Sequence, residues 1–149
     1  MKKIIWFVLI ICSAVFLFAC TLIQNLMVVN SSDEEIEVLY EKKDFSVYPL
    51  EVTSESNFNK WGVFQKDWDK MPTEQYSFSE DKKTVKVKMK SREVVKVGWG
   101  DPYYFKKGDD SHLNLKTLKI KGNNKKVYFE NSAKLLNEFK KNDYQIIYR

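Results

Sequence analysis

The chain has 149 residues, 44% of them hydrophobic and 15% aromatic, with only five glycines and three prolines. That is material for one domain with a packed core, and it excludes wholesale disorder. The formal charge of +5 falls to +3 once Lys2 and Lys3 are set aside, too mild a bias for a nucleic-acid-binding domain.

Lys2 and Lys3 open the chain, and residues 4–19 follow as an apolar run broken only by Ser13. The run ends in Leu17-Phe18-Ala19-Cys20. A basic start, an apolar middle and a small residue before a cut are the elements of an export signal. The tetrapeptide resembles the lipobox of bacterial lipoproteins, with leucine three residues before the cysteine and a small residue just before it. The resemblance implies cleavage between Ala19 and Cys20 and a diacylglyceryl group on the Cys20 thiol. It also implies a further acyl chain, palmitate for instance, on the new amino group, so that the membrane becomes a partner through lipid. An uncleaved helix over 4–23 is the alternative, since that stretch is long enough to cross a bilayer. Either way, Lys2 and Lys3 before the run and Asp33, Glu34 and Glu35 after it place the remainder outside the cytoplasm.

The organisation that follows is a signal over 1–19, a short anchored link over 20–25 and one extracytoplasmic domain over 26–149. No Ser/Gly-rich tether separates anchor from domain, which holds the domain close to the bilayer surface. Cys12 and Cys20 are the two cysteines, so beyond residue 20 the chain has no disulfide, no thiol nucleophile and no cysteine-ligated metal.

Strand patterns dominate the domain. Residues 26–30 and 35–42 flank the turn-forming Asn30-Ser31-Ser32-Asp33 and read as a hairpin. Further strands are expected over 45–48, 75–78, 85–89, 94–97, 113–121, 126–130 and 144–148, with a bulge near Thr117 where the alternation slips phase. Trp61, Phe64, Trp68 and Met71 stand three, four and three apart, the spacing of a helical stripe, which predicts a helix over about 60–71 ended by Pro72. Asn131 or Ser132 can cap a second helix over about 132–141, with Leu135, Leu136 and Phe139 on one face. The fold class is mainly β: an antiparallel β-sandwich or open barrel with one or two short helices.

Chemistry is sparse. His112 is the single histidine and no glycine-flanked serine elbow accompanies it, so Asp109, Asp110 and His112 are the residues of an alternative reading, an extracytoplasmic hydrolase. The acids match no calcium-loop spacing, there is no phosphate-cradling glycine loop, and neither a metal nor a cofactor is expected. Two features remain as a candidate binding surface. One is aromatic, with Trp61, Trp68, Trp99 and Tyr103, suited to stacking on a glycan or a partner protein if the rings are exposed. The other is Lys86, Lys88 and Lys90 at period two, with Lys96 as cross-strand company, suited to an anionic polymer or lipid head groups. The reading favoured is a non-enzymatic, membrane-anchored binding or envelope-structural module.

Overall fold

The computed structural model describes residues 23–44, 50–61 and 68–149, the side chains of Lys60 and Trp61 excepted. The signal, Ala19, Cys20, Phe64 and the strand expected over 45–48 lie outside the described residues.

Among the described residues, ten strands form two five-stranded sheets. In one, β10 (Gln145–Tyr148), β1 (Gln24–Asn30), β7 (Glu93–Gly100), β3 (Glu51–Ser54) and β4 (Asp69–Lys70) lie side by side in that order. In the other the order is β5 (Tyr76–Phe78), β6 (Thr84–Met89), β2 (Ile36–Lys42), β8 (Leu115–Lys121) and β9 (Lys126–Phe129). Every strand pair is antiparallel except β1–β10. This is the mainly β sandwich that the short alternating runs predict.

Alternation builds the core. Leu26 and Val28 from β1 and Val95 and Val97 from β7 meet Ile36, Val38 and Tyr40 from β2 and Val85, Val87 and Met89 from β6 in one buried cluster. Each large aliphatic side chain removed from water contributes ~1.5–3 kcal/mol against chain entropy. The helix α3 (Ser132–Lys141) closes one flank with Leu135, Leu136 and Phe139, and its Asn131 cap accepts the Lys134 N–H at 2.9 Å.

Two expectations need correction. Residues 26–30 and 35–42 do not form a hairpin: β1 pairs with β7 and β10, β2 pairs with β6 and β8. The connection over 31–35 is an arch from one sheet to the other. Asn30, wholly buried, fixes it by donating to the carbonyls of Glu34 (2.8 Å) and Lys90 (2.9 Å) and accepting from Ser32. The helix expected over 60–71 does not reach its expected end, since residues 69–70 are a strand, while 62–67 lie outside the described residues. The described helix is α1 (Glu55–Trp61), begun by Ser54, whose Oγ accepts the Asn57 N–H, while Asp69 and Lys70 form β4 against β3. Trp68 packs beside Phe58, Met27 and Val29 on the outer face of the first sheet, whereas Met71 belongs to the main core. Trp68 and Met71 of the stripe thus serve two different layers.

The slip near Thr117 is a bulge. Against β2, Glu41 faces Thr117 but Lys42 faces Leu115. A second shift lies in the other sheet, where Leu26 faces Gly98 but Met27 faces Lys96. Both irregularities sit at the end of the sandwich where β1 begins and β2 and β7 finish, and bulges there bend the strands. A further short helix, α2 (Pro102–Lys107), leaves β7 at the same end, capped by Asp101 and stopped by Gly108 at φ 77°.

Candidate functional site

The strand ends beyond the two bulges enclose a pocket of about 470 Å³, within the size range of small-molecule sites. Its wall is mainly apolar: Tyr40 from β2, Leu50 ahead of β3, Phe78 from β5, and Val97 and Trp99 from β7. Ile23, the residue before β1, stands exposed at its rim.

Lys42 is the unexpected member. It continues the inward-facing series Ile36, Val38, Tyr40 along β2 and is 6% exposed, so a cation occupies a core-facing position on the pocket wall. Its ammonium lies 5.8 Å from the centroid of the Phe78 ring. Burial lowers its pKa, and the charge of Asp44 opposes that shift. Departures from binary pattern concentrate at functional sites. The signal was present in the sequence as the inward parity of residue 42. It was hidden because a lysine at the end of a strand also reads as a solvated terminus.

Glu51, Lys96 and Asn114 on the wall are joined to neighbouring groups. Lys96 pairs with Glu51 and lies 4.1 Å above the Trp68 ring, on the first sheet and far in the topology from Lys86 and Lys88. It therefore gives them no cross-strand company. Asn114 Oδ1 accepts the Trp99 N–H at 2.8 Å and ties β7 to the start of β8. Tyr40 is buried, and that burial pushes its phenol pKa up.

The structure divides the sequence-derived surface residues. Trp68, on the outer face of the first sheet, and Trp99, on the pocket wall, are half-buried, and their indole nitrogens are sealed from water without a hydrogen-bond partner among the described residues. Neither presents the exposed ring that a stacking platform needs. Trp61 lies in α1, its side chain undescribed. Tyr103 is 58% exposed on α2, and Lys107 covers its ring at 4.2 Å. Lys86 and Lys88 do share the outer face of the second sheet, where Lys86 meets Glu37 at 2.6 Å and holds its carboxyl below the usual range. Lys90 stands past the end of β6, at the opposite end of the sandwich from the pocket.

Asp109, Asp110 and His112 occupy the loop after α2. Asp109 accepts the Ser111 N–H at 2.9 Å, the Asp110 carboxylate takes the Ser132 hydroxyl, and the His112 ring stacks on Tyr104 at 3.6 Å. Among the described residues no hydrogen bond joins the imidazole to either acid, and none of the three lines the pocket. No group of three or more potential metal-ligating side chains occurs among the described residues, nor any helix long and apolar enough to cross a membrane. No protein-family model, curated protein or solved structure matches the chain.

Proposed function

We propose that the protein is an extracytoplasmic lipoprotein, anchored through Cys20, that works as a non-enzymatic binding module with the interior pocket as its site. The observation that carries this reading is the place of the pocket. It opens beside Ile23, three residues after the cysteine of the lipobox-like tetrapeptide, at the end of the sandwich where β1 starts. From Cys20 to Gln24 a fully extended chain reaches at most ~14 Å. The anchor and the pocket mouth are therefore neighbours, and whatever the pocket receives comes from, or is presented to, the membrane surface.

Two acyl groups on one residue hold a domain stably where one holds it marginally. Fractionation of cells making the wild type and Cys20→Ala tests the anchor. The wild type partitions with membranes and is extracted by detergent, whereas Cys20→Ala loses lipid labelling by a radioactive fatty acid. Equal labelling of the two forms would sink the proposal.

A further inference from the structure

The second sheet buries one face in the core and turns the other to solvent, and strand register sets its outward side chains in rows. One row runs Ser77, Lys86, Leu39, Lys119 and Tyr128 across all five strands. The next, toward the end of the sandwich away from the pocket, runs Lys88, Glu37, Lys121 and Lys126. With strands ~4.8 Å apart, the longer row is a track of roughly 19 Å. Five lysines thus stand on outward strand positions against two acids, Glu37 and Glu41. That surplus equals the whole +3 left once Lys2 and Lys3 are set aside. Glu41 is answered by Lys116 and Glu37 by Lys86. The hydrogen bond from Lys86, backed by the fields of Lys86, Lys121 and Lys119, holds the Glu37 carboxyl below its usual range. Lys88, Lys119, Lys121 and Lys126 hold no ion pair among the described residues.

Spacing, an aromatic and position select the occupant. Lys86 and Lys119 stand on either side of β2, ~10 Å apart in backbone spacing. They do not converge on one small anion, whereas a chain of repeated anionic groups meets several lysines at once. Tyr128, 60% exposed, ends the track with an aromatic face, and such a phenol stacks on sugar rings and donates a hydrogen bond. The two rows cross β2 at Leu39 and Glu37, three and five residues from Lys42 at the pocket end, or ~10 and ~17 Å along the strand. With the pocket end toward the membrane, both rows lie beyond the ~8 Å over which salt screens the bilayer's own charge.

We infer that this face binds an acidic polysaccharide, a glycan with repeated anionic groups, laid along the row from Lys86 to Tyr128 with Lys88, Lys121 and Lys126 beside it. The inference goes beyond the pocket, and only the choice of polymer over bilayer rests on the anchored orientation proposed above. Each exposed lysine–anion contact is weak, but contacts to one chain reinforce each other through effective concentration. Binding is therefore multivalent and falls as salt rises.

The test is lysine footprinting of the full chain in phosphatidylcholine nanodiscs and in discs that include phosphatidylglycerol. The probes are polygalacturonate, dextran as a neutral glycan and polyphosphate as a polyanion without sugar. Acetylation of each lysine by a water-soluble ester is read by mass spectrometry. Expected is that polygalacturonate, and not dextran, slows acetylation of Lys88, Lys119, Lys121 and Lys126 in both discs. Lys106 and Lys140, exposed on α2 and α3, should be unchanged. Lys88→Gln with Lys121→Gln should weaken binding to immobilised polygalacturonate at least tenfold, and Lys106→Gln with Lys140→Gln less than twofold. Tyr128→Ser should weaken polygalacturonate at least threefold and leave polyphosphate unchanged. A cooperative urea transition checks that each variant folds, and the wild-type footprint stands without them. Equal loss in the two lysine pairs would overturn the proposal, as would equal loss of both polyanions in Tyr128→Ser. Protection of these lysines by phosphatidylglycerol discs without polymer would also overturn it and give the face to the bilayer. None of these results touches the lipid labelling at Cys20, so a wrong surface and a wrong anchor remain distinguishable.

Discussion

Replacing Asn30 by alanine should be among the most damaging single changes to the domain, although it removes only one small amide. Asn30 is wholly buried and uses both ends of its side chain. Its Nδ2 donates to the carbonyls of Glu34 at 2.8 Å and Lys90 at 2.9 Å, and its Oδ1 accepts from the Ser32 N–H at 3.2 Å and hydroxyl at 2.6 Å. These bonds tie the arch between β1 and β2 to the turn between β6 and β7, the two nearby places where the chain crosses between sheets. Alanine leaves two carbonyls and the Ser32 donors without their partner. A stranded buried polar group costs ~1–3 kcal/mol, less where water can reach it, and Ser32 and Glu34 are half-buried. The sum expected is about 2–4 kcal/mol, which at a urea slope of ~1–3 kcal/mol/M moves the midpoint by about 0.7–4 M.

Asn30→Asp sharpens the test because it keeps the shape. At neutral pH a carboxylate would face two carbonyl oxygens, so its charged form is disfavoured and its folded-state pKa rises above the unfolded value. Stability lost to the substitution should therefore be least below that unfolded value, near pH 4, and grow as the pH rises through the folded-state pKa. Urea titrations of wild type, Asn30→Ala and Asn30→Asp at pH 3.5 and 7.5, followed by tryptophan fluorescence, measure both effects as differences from wild type. A midpoint for Asn30→Ala within ~0.2 M of wild type, or an Asn30→Asp deficit that does not depend on pH, would refute the reasoning.

Other substitutions follow from the same packing. Gly100→Ala places a Cβ against the Phe105 ring and the His112 carbonyl; because Phe105 is fully buried, a loss of about 1–3 kcal/mol in urea unfolding is expected. At Gly108 nothing lies within 4 Å of an added Cβ, so alanine there should cost only the left-handed backbone penalty at φ 77°, about 1 kcal/mol. Burial raises the pKa of Tyr40 above the ordinary 10.0, so above about pH 10 the unfolded chain ionises this phenol while the folded chain resists. Tyr40 thus holds stability below its unfolded pKa that is lost as the pH climbs, and Tyr40→Phe should flatten the fall in urea midpoint between pH 9 and pH 11. Tyr148, shifted the same way by burial and by its bond to Glu34, should retain a residual slope.

The second sheet was the more legible half of the fold. Along β2, β6 and β8 one face is core and the other carries Glu37, Lys86, Lys88 and Lys119, so period-two alternation stands out and even the bulge at Thr117 leaves a phase slip. The first sheet hides its pairing. Residues Leu26 to Asn30 are buried on both faces because α1 and Trp68 cover the outer side, and an unbroken apolar run does not reveal which strand lies beside it. The turn chemistry of Ser31-Ser32-Asp33 is the same whether the chain doubles back within a sheet or crosses to the next one. The Asp101-Pro102 start and Gly108 stop of α2 are cap signals that were available, but the helix is too short for its periodicity to show. The pocket could not be read at all. Its wall is assembled from strand ends separated by up to ninety residues, and the inward parity of Lys42 acquires meaning only once the bulges open the sandwich.

Intact-mass analysis of the detergent-extracted protein, with fragmentation of its N-terminus, tests most directly whether the domain is anchored through lipid on Cys20. The mature chain should begin at Cys20 and carry a diacylglyceryl thioether, with or without a further acyl group on the amino terminus. A chain that retains residues 1–19 with an unmodified Cys20 thiol would contradict the lipid anchor.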